Sequence, residues 1–344
     1  MQIFLTDGHC RKSLFPFTEI RHTADIRVGI FTIKEKWEKL TGYKINLEAD
    51  TAPGGNDICI NANIIPTQAT FQKIIDAFKD ATPLSDIDHF ESIKYPWHIS
   101  QLNDWAIRND FELINKGGRG ETISASNKLL GGDNMFVAKG VKMELCMLNA
   151  SEGPIYIGAN AQIMEGSLLR GPIAICENAV IKMGSKIYGG TTIGPNCIAG
   201  GEIKNTVMFA NSNKAHDGYL GDSVIAEWCN LGAGTSNSNL KNNAADVLFD
   251  VNGDTLNAGN KAGLMMGDYS RAAINTSFNT GTVVGVSCNI FGNEMPARFI
   301  PSFSWGKERY QLDKALRDIA NWKKLKNKSL DEGEKLKLTE LYTK

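Results

Sequence analysis

The amino-acid sequence predicts an α/β amino-terminal domain, then an all-β left-handed parallel β-helix of hexapeptide repeats, with helices at the carboxyl end. Three observations lead to this prediction. Strand patterns alternate with helical patterns in the first third of the chain. Aliphatic residues then recur every six positions, and most of the 34 glycines lie in this later part of the 344-residue chain. A short repeat of this kind is typical of a solenoid.

The amino-terminal domain is expected to cover residues 1–130. Its apolar runs "MQIFL" and "DICINANIIP" (57–66) are bounded by turn residues and predict strands. Residues 33–42 and 67–81 carry helical spacing. Thr67 can cap the second of these helices, and Gly42 can end the first.

The central domain, residues 131–300, shows a strict period of six. Neither a helix, with a period of 3.6, nor a plain strand, with a period of 2, explains this spacing. The first block of aliphatic positions is Ile157, Ile163, Leu169, Ile175, Ile181, Ile187, Ile193 and Ala199. Glycine, asparagine and proline cluster just after these positions and suit tight corners. Three hexads make one triangular coil, so each aliphatic residue should lie over the one eighteen positions earlier.

The period is interrupted twice. It is lost near residues 204–217, resumes at Ile225 and Leu231, and returns from Met266 to Ile290. Residues 204–219 and 237–262 are therefore expected to be loops extruded from the coil. After residue 300, the charged segment 307–344 has helical periodicity and predicts a helix pair that closes the solenoid, within a third segment at 301–344. The alternative is a solvated tail.

The composition excludes several classes of protein. A formal net charge of −1 offers no basic surface to nucleic acid or to an anionic membrane. No apolar run reaches the roughly 18 residues of a spanning helix. The first residues lack a signal-peptide pattern, and the seven cysteines occur singly without a CxxC pair. These features predict a reduced, cytoplasmic protein with no metal site.

One of the five histidines lies in the stretch "KAHDGYLGD" (214–222). Taken alone, a histidine in a glycine-rich run is either a surface turn residue or a general base held on a rigid coil. Histidine titrates nearest to neutral pH among the side chains, which suits proton removal. The flanking sequence has to decide between the two interpretations.

The segment from about 150 to 295 resembles the acetyltransferase domain of the GlmU family. The likeness is carried, in order, by "EIKN" (202–205), "HDGYLGDSVI", "NLGAGT", "NKAGLMMGD" (260–268) and "INTSFNTGTVVG" (274–285). The resemblance implies a homotrimeric transferase of nucleotide-sugar biosynthesis. It would move an acyl group, most simply acetyl from acetyl-CoA, to a sugar 1-phosphate or sugar nucleotide.

The resemblance also assigns roles to single residues. His216 falls on the family's catalytic base. The substrate-binding positions are Lys204, Tyr219, Asn230 and Lys261. The acetyl-CoA positions are Ala233, Asn239, Leu240 and Gly292. Each has a plainer alternative: a solvated lysine, a packed tyrosine, or a corner asparagine or glycine. One departure is that the family's phosphate-contacting arginine in the upstream coil has no clear counterpart, which leaves the identity of the sugar open.

The amino-terminal domain weakly resembles a sugar-nucleotide pyrophosphorylase that has degenerated. Its loop "LTDGHCRKSLFPF" (5–17) keeps Gly8 and Arg11 as weak nucleotide-binding candidates, but Phe17 takes the place of the family's lysine. Mg²⁺ is implied only if this domain is active. Asp7 and Asp104 are conceivable metal ligands, although isolated carboxylates are more often surface groups.

Three functions stay open on the sequence alone. The first is acyl transfer with His216 as the base. The second is sugar-1-phosphate nucleotidylyl transfer, with the β-helix as a trimeric scaffold. The third is a non-catalytic, trimeric sugar-nucleotide-binding protein.

Overall fold

A computed structural model describes residues 2–55, 57–79, 91–115, 120–251 and 254–344 of the chain. The amino-terminal region is a small parallel sheet of order β2–β1–β3, with strands β1 (Ile3–Thr6), β2 (Asn46–Leu47) and β3 (Ile58–Asn61). Two helices pack on it, α1 (Ile33–Thr41) and α2 (Gln68–Lys79). Thr32 and Glu35 form a capping box at the start of α1, and Gly42 ends α1 with a φ of 78°. The predicted α/β pattern is confirmed; positions 80 and 81 of the second predicted helix lie outside the described residues.

Two further helices, α3 (His98–Gln101) and α4 (Asn103–Asn115), join this region to the β-helix. The side chain of Asn103 is buried and makes the connection. Its Nδ2 donates to Gly190 O at 2.7 Å and to Thr192 Oγ1 at 3.0 Å, and its Oδ1 accepts from Gly29 N at 2.7 Å. One amide therefore fixes the amino-terminal region against one face of the solenoid.

The solenoid is a parallel β-helix with three faces, each a stack of very short strands. The strands of the first face are β4 (Lys128–Leu130), β7 (Met147–Asn149), β10 (Leu168–Arg170), β13 (Lys186–Ile187), β16 (Glu202–Lys204) and β19 (Tyr219–Gly221), followed by the pair β22 (Ser236–Asn237) and β27 (Ser277–Phe278). The strands of the second face are β5 (Met135–Val137), β8 (Ile155–Ile157), β11 (Ile173–Ile175), β14 (Thr191–Ile193), β17 (Val207–Met208), β20 (Val224–Ile225), β25 (Met265–Met266), β28 (Val283–Val284) and β30 (Phe299–Ile300). The strands of the third face are β6 (Lys142–Met143), β9 (Gln162–Ile163), β12 (Val180–Ile181), β15 (Ile198–Ala199), β18 (Asn213–Lys214), β21 (Asn230–Leu231), β26 (Arg271–Ala272), β29 (Asn289–Ile290), β31 (Ser304–Trp305) and β32 (Glu308–Arg309).

The register of these strands confirms the sixfold repeat. On the second face Ile157 pairs with Ile175, and Ile175 pairs with Ile193, so residues eighteen positions apart lie over one another. All three are fully buried. The aliphatic repeat is therefore the inward-facing ladder of the solenoid, and the predicted parallel β-helix is confirmed.

The prediction of an extruded loop at residues 204–219 is wrong. The coil becomes shorter there instead: Ile193 pairs with Met208, 15 residues later, and Ile203 pairs with Leu220, 17 residues later. Residues are missing from the corners while the strands continue to stack, so the phase is lost in the sequence and kept in the structure. His216 consequently lies in a tight corner of the coil and not at the base of a loop.

The second predicted loop, 237–262, does leave the coil. It forms an antiparallel hairpin of β23 (Leu248–Val251) and β24 (Asp254–Asn257). The ring of Phe249 stacks on that of Trp97, with centroids 4.8 Å apart. Gln101 Nε2 also donates to Ala258 O at 2.9 Å. The hairpin is thereby held against the segment that carries α3.

The predicted carboxyl-terminal helix pair is also present, as α5 (Leu312–Lys324) and α6 (Glu332–Thr343). The pair lies against the third face, where Lys326 Nζ donates to Asn196 O at 2.6 Å and to Asn213 Oδ1 at 3.1 Å. On the first face, by contrast, apolar side chains are exposed, among them Leu130, Met147 and Leu168.

The seven cysteines are free thiols, and all but Cys59 are buried. Burial raises the pKa of Cys176 and of Cys197 to about 12, which makes these thiols poor nucleophiles. Among the described helices, none combines the length and the apolar character needed to cross a bilayer.

A buried ion pair fastens α1 to α4, and we predict that breaking it destabilises the fold. Asp110 contacts Lys36, their side chains are 2% and 1% exposed, and Asp110 Oδ2 also accepts from Ile30 N at 2.7 Å. Asp110→Asn should lower the free energy of unfolding by about 3–5 kcal/mol, because the Lys36 ammonium stays buried without its partner.

The matched control is Asp104→Asn on the same helix, whose exposed pair with Arg108 is worth about 1 kcal/mol or less. Urea unfolding followed by circular dichroism measures both variants. An equal loss of unfolding free energy in the two variants would mean that the buried pair stabilises the fold no more than the exposed pair.

Candidate active site

His216 lies at the corner between the third and first faces, in the turn from β18 to β19. Its side chain is exposed. The corner is stacked tightly between the coils before and after it. A Cβ on Gly201 in the preceding coil would come within 2.7 Å of Gly218 O, and Gly234 N in the following coil donates to Asp217 O at 3.1 Å. The backbone that carries His216 is therefore held on both sides.

A buried lysine holds the same corner from inside the solenoid. Lys214 is fully buried, and its Nζ donates to the carbonyl of His216, to that of Asp217 at 3.1 Å and to that of Gly200 at 3.5 Å. Desolvation lowers the pKa of Lys214 to about 8, against the opposing effect of the Asp217 carboxylate. The ammonium thus binds the carbonyl of His216 itself and that of the next residue, and it restricts the turn that presents the imidazole.

A polar network on the first face adjoins the corner. Tyr219 Oη accepts from Asn239 Nδ2 at 3.1 Å, and Asn239 Nδ2 also donates to Asp222 Oδ2. Asn205 Nδ2 donates to Asp222 Oδ1 at 2.7 Å. Burial, reinforced by the nearby Asp222 and Glu202 carboxylates, raises the pKa of Tyr219 to about 12. The phenol therefore stays protonated near neutral pH, with its own O–H available to a ligand.

This network changes what Asn239 can offer. A free asparagine side chain would offer both amide donors and an acceptor to the thioester arm. Since both Nδ2 hydrogens point to protein oxygens, only Oδ1 remains for a ligand. Asp222 is 8% exposed and lies at the centre of the network.

Lys204 is exposed on β16, opposite Gly221 of β19 in the next coil, so it lies beside Tyr219 on the first face. Arg170, which the sequence argument did not weigh, is also on this face. It lies on β10 and forms an ion pair with Glu152 at 3.3 Å. The first face thus carries positive side chains on both sides of Tyr188, the exposed tyrosine of the intervening coil.

Asn230 is not part of this cluster within one chain. It belongs to β21 on the third face, where it pairs with Asn213 on one side and with Arg271 on the other. There it lines a cavity of 360 Å³ together with Trp322 of α5. The corner of His216 separates the two faces.

Among the predicted acetyl-CoA positions, Ala233 and Gly292 lie at the edge between the third and first faces that carries His216. Asn239 and Leu240 follow β22 and lie at the edge between the first and second faces. Ala233 is half-buried in the corner directly after that of His216, between Gly232 and Gly234. Leu240 is 40% exposed at the start of the hairpin insertion, and Lys261, a predicted substrate-binding position, is exposed at its end. Gly292 follows two coils later with a φ of 141° and lines a large cavity of 1160 Å³ near the carboxyl end. His216, Ala233 and Gly292 thus follow one another along a single edge of the solenoid.

The amino-terminal loop uses its arginine internally. Arg11 Nη1 binds Asp7 Oδ2 at 2.8 Å, and its Nη2 donates to Thr18 O. Gly8 is exposed, and no atom lies within 4 Å of a Cβ placed on it. Asp7 is buried, which corrects the expectation of a surface carboxylate, whereas Asp104 is exposed and paired with Arg108.

Asp7, His22 and Glu48 lie close enough to suggest a cation site. The donor set does not fit one. His22 Nδ1 accepts from Ala24 N at 3.1 Å, so the neutral imidazole carries its proton on Nε2, which faces Asp7 Oδ1 at 3.6 Å and has no lone pair for a metal. Glu48 Oε1 accepts from Asp7 N at 2.7 Å. His22 Nε2 has no hydrogen-bond partner, but as an N–H group it cannot hold a cation, and we derive no step through Mg²⁺.

Three residues near the corner escaped the sequence argument: Lys214, Asp222 and Asn205. Lys214 and Asp222 lie inside the quoted "KAHDGYLGD", and Asn205 closes "EIKN". The available signal was Lys214, a lysine at a position of the repeat that points into the solenoid. It was missed because the loss of the sixfold phase hid which residues point inward.

The fold and the corner define a class of protein: a hexapeptide-repeat β-helix with a polar site at one corner, preceded by an α/β region. Comparison with known proteins then narrows the class. Residues 3–88 match the family described as sugar nucleotidyl transferase. The chain is 32% identical over 111 residues to the bifunctional protein GlmU of Methanocaldococcus jannaschii, a match that covers 32% of this chain and 27% of the relative.

A second relative is the bifunctional sugar-1-phosphate nucleotidylyltransferase/acetyltransferase of Sulfurisphaera tokodaii, 28% identical over 204 residues, with 59% of this chain and 45% of the relative covered. Among solved structures, an Arabidopsis UDP-N-acetylglucosamine acyltransferase matches 64% of this chain and 90% of its own, with 16% identity and a TM-score of 0.29. The chain covers less than half the length of the two curated relatives. Over part of its length the chain is similar to GlmU, as the sequence predicted, and the Sulfurisphaera relative is a transferase by name.

The lowered pKa of Lys214 predicts a pH-dependent stability. Lysine in the unfolded chain titrates near 10.4, so between pH 8 and about 10 the unfolded state binds more protons than the folded state. The free energy of unfolding contributed by this group should therefore rise with pH across that window and stay constant below it.

Lys214→Met removes the group, and Lys139→Met, at an exposed lysine, is the control. The free energy of unfolding is measured in urea at pH 7, 8, 9 and 10. Relative to Lys214→Met, the free energy of unfolding of the wild type should rise above pH 8. Parallel curves for these two proteins would show that the ammonium is not desolvated as described.

Proposed function

We propose that the chain transfers an acyl group, most simply acetyl from acetyl-CoA, to a sugar 1-phosphate or sugar nucleotide. The observation that supports this best is the position of His216. Its corner lies between the Tyr219–Asn239–Asp222 network of the first face and the Gly232–Gly234 corner of the next coil. A base, a polar acceptor surface and a strip of open backbone meet there.

The proposed step is a direct transfer. The amine or hydroxyl of the sugar attacks the thioester carbonyl, a new C–N or C–O bond forms, and the C–S bond breaks. The proton of the nucleophile passes to the His216 imidazole and from there to the departing thiolate, which leaves as CoA thiol. Holding both substrates in line supplies much of the rate, and proton removal adds about 10²- to 10⁴-fold.

The other residues position the substrates. Lys204 offers an ammonium to a phosphate, and Tyr219 donates its O–H to the sugar. Asn239 Oδ1 accepts from an amide N–H of the pantetheine arm, whose path passes Ala233, where glycines on both sides let the arm approach the backbone. The family likeness assigns Leu240 and Gly292 to acetyl-CoA binding, and Lys261 to substrate binding.

A homotrimer is part of this proposal. His216 is exposed on an outer corner, and Asn230 lies on a different face from Tyr219. A second copy packed on the first face would supply the missing wall. That face carries an apolar cavity of 570 Å³ lined by Leu130, Met147 and Leu168 among others, which is suited to burial between copies.

The test is a thiol-release assay with acetyl-CoA and a panel of amino- and hydroxy-sugar 1-phosphates and sugar nucleotides. His216→Ala should reduce kcat by about 10²- to 10⁴-fold, because the base is lost. Tyr219→Phe should raise KM for the sugar by about tenfold, because one hydrogen bond to it is lost. His9→Ala, at an exposed histidine of the amino-terminal loop, is the control and should match wild type.

Wild-type turnover in His216→Ala would remove the base from this mechanism. Binding of CoA and a sugar nucleotide without turnover in the wild type would favour the non-catalytic sugar-nucleotide-binding function instead.

Nucleotidylyl transfer is a second candidate, favoured by the match of residues 3–88. The internal contacts of Arg11 speak against it. We therefore expect no pyrophosphate release from nucleoside triphosphates with Mg²⁺ and sugar 1-phosphates. Using His216→Ala for this assay separates the two activities. Release of pyrophosphate would establish the second candidate and would require the loop 5–17 to rearrange.

A further inference from the structure

A buried arginine on the third face has an unused hydrogen-bonding edge. Arg271 lies on β26, is 6% exposed, and leaves both Nε and Nη2 without a hydrogen-bond partner. These two nitrogens form the side of the guanidinium that grips two oxygens of one oxyanion at once.

The surroundings do not neutralise this cation. Its guanidinium carbon lies 5.1 Å from the ring centroid of Trp322, a cation–π contact. Asp318 on α5 lines the same cavity, but its Oδ2 accepts from the Tyr310 hydroxyl and its Oδ1 accepts from Arg317 Nε at 3.4 Å. Among the described residues no carboxylate forms an ion pair with Arg271. A buried cation without a partner is costly unless a ligand supplies one.

Arg271 lines a cavity of suitable size together with Asp318, and its free edge is buried, with Nε and Nη2 closed off from solvent. The cavity holds 360 Å³ between the third face and α5. Asn230 and Asn289 flank Arg271 in the ladder of strands, one coil before and one coil after it. Asn321 of α5 lies at the rim. Amide side chains offer donors to further oxygens of a bound anion.

The cavity also lies on the edge that carries His216. It is lined by Ala273 and Phe291, which belong to the same series of corners as His216, in later coils. Adjacent coils are about 4.8 Å apart, so Arg271, two coils beyond β18, lies about 10 Å further along the axis than His216. A phosphorylated substrate can span that distance.

We propose that Arg271 and its cavity form a binding site for the phosphoryl group of a substrate. Two sources share this chemistry: the phosphate of the sugar acceptor and a phosphate of CoA. The proposal rests on the proposed function only for the choice between these sources. The site itself is independent of whether acyl transfer occurs.

The first experiment compares thermal unfolding of the full chain in sodium phosphate and in sodium chloride of equal ionic strength. Arg271→Met keeps most of the side-chain volume and removes the charge, and Arg108→Met, at an exposed arginine of α4, is the control. Phosphate should raise the Tm of wild type and Arg108→Met by several degrees more than that of Arg271→Met. Without phosphate, Arg271→Met should melt at or above the wild-type temperature, because a buried unpaired cation is gone.

Two results would overturn the site. One is an equal phosphate shift in all three proteins, which would indicate binding elsewhere. The other is a fall of several degrees in phosphate-free Arg271→Met, which would mean that the guanidinium serves packing on Trp322. Arg271→Lys is a second variant that keeps the test valid if Arg271→Met fails to fold. It keeps the charge but not the two-pronged edge, and it should retain a reduced phosphate shift.

Calorimetric titration then identifies the source, with glucosamine 1-phosphate, CoA and 3′-dephospho-CoA as probes. Arg271→Met should weaken one class of probe by about tenfold to hundredfold and leave the other unchanged. Loss confined to glucosamine 1-phosphate assigns the site to the acceptor, and loss confined to CoA assigns it to the donor. Unchanged affinity for every probe would contradict the proposal. These are binding measurements, so failure of the acyl-transfer assay would not be mistaken for failure of this site.

Discussion

The stacking of inward-facing side chains from coil to coil is the constraint on which the rest of the structure depends. A single coil of three short strands cannot bury its own apolar side, so each coil is stable only between neighbours. Ladders such as Ile157, Ile175 and Ile193 are fully buried, and each such side chain contributes about 1.5–3 kcal/mol. The stacked ladders fix the positions of the corners between them, and residues of the candidate site such as His216 and Ala233 lie at these corners.

The shortened coils show how a functional corner can be built without breaking the ladder. Removing residues between Ile193 and Met208 tightens the turn while the strands stay in register. The next inward position is then taken by Lys214, whose ammonium binds backbone carbonyls around His216. An aliphatic residue there would pack equally well but would leave those carbonyls without this partner. The interior of the solenoid thus restricts the orientation of a residue on its surface.

Most buried polar groups of the amino-terminal region bind one another, and a few of them bind the solenoid. Asn103 bonds to both parts, and the Lys36–Asp110 pair fixes α1 to α4. The arginine of the loop that resembles a nucleotide-binding loop is bound to Asp7. These contacts describe a region that packs on the second face. The first face, by contrast, carries exposed apolar side chains.

The sequence by itself determined the period of six, and with it the parallel β-helix, because stacking requires the same kind of side chain at each inward position. It also determined the α/β beginning, the departure of the chain from the coil after residue 237 and the terminal helices. It misjudged residues 204–219, because a shortened coil and an extruded loop both destroy the phase and only the register distinguishes them. Family likeness placed His216 and Tyr219. Only the tertiary structure brought Asn205 to Asp222, put Asn230 on another face, and left one edge of the buried Arg271 without a partner. Each of these depends on which strands lie side by side, over separations of 17 to 41 residues that no local pattern records.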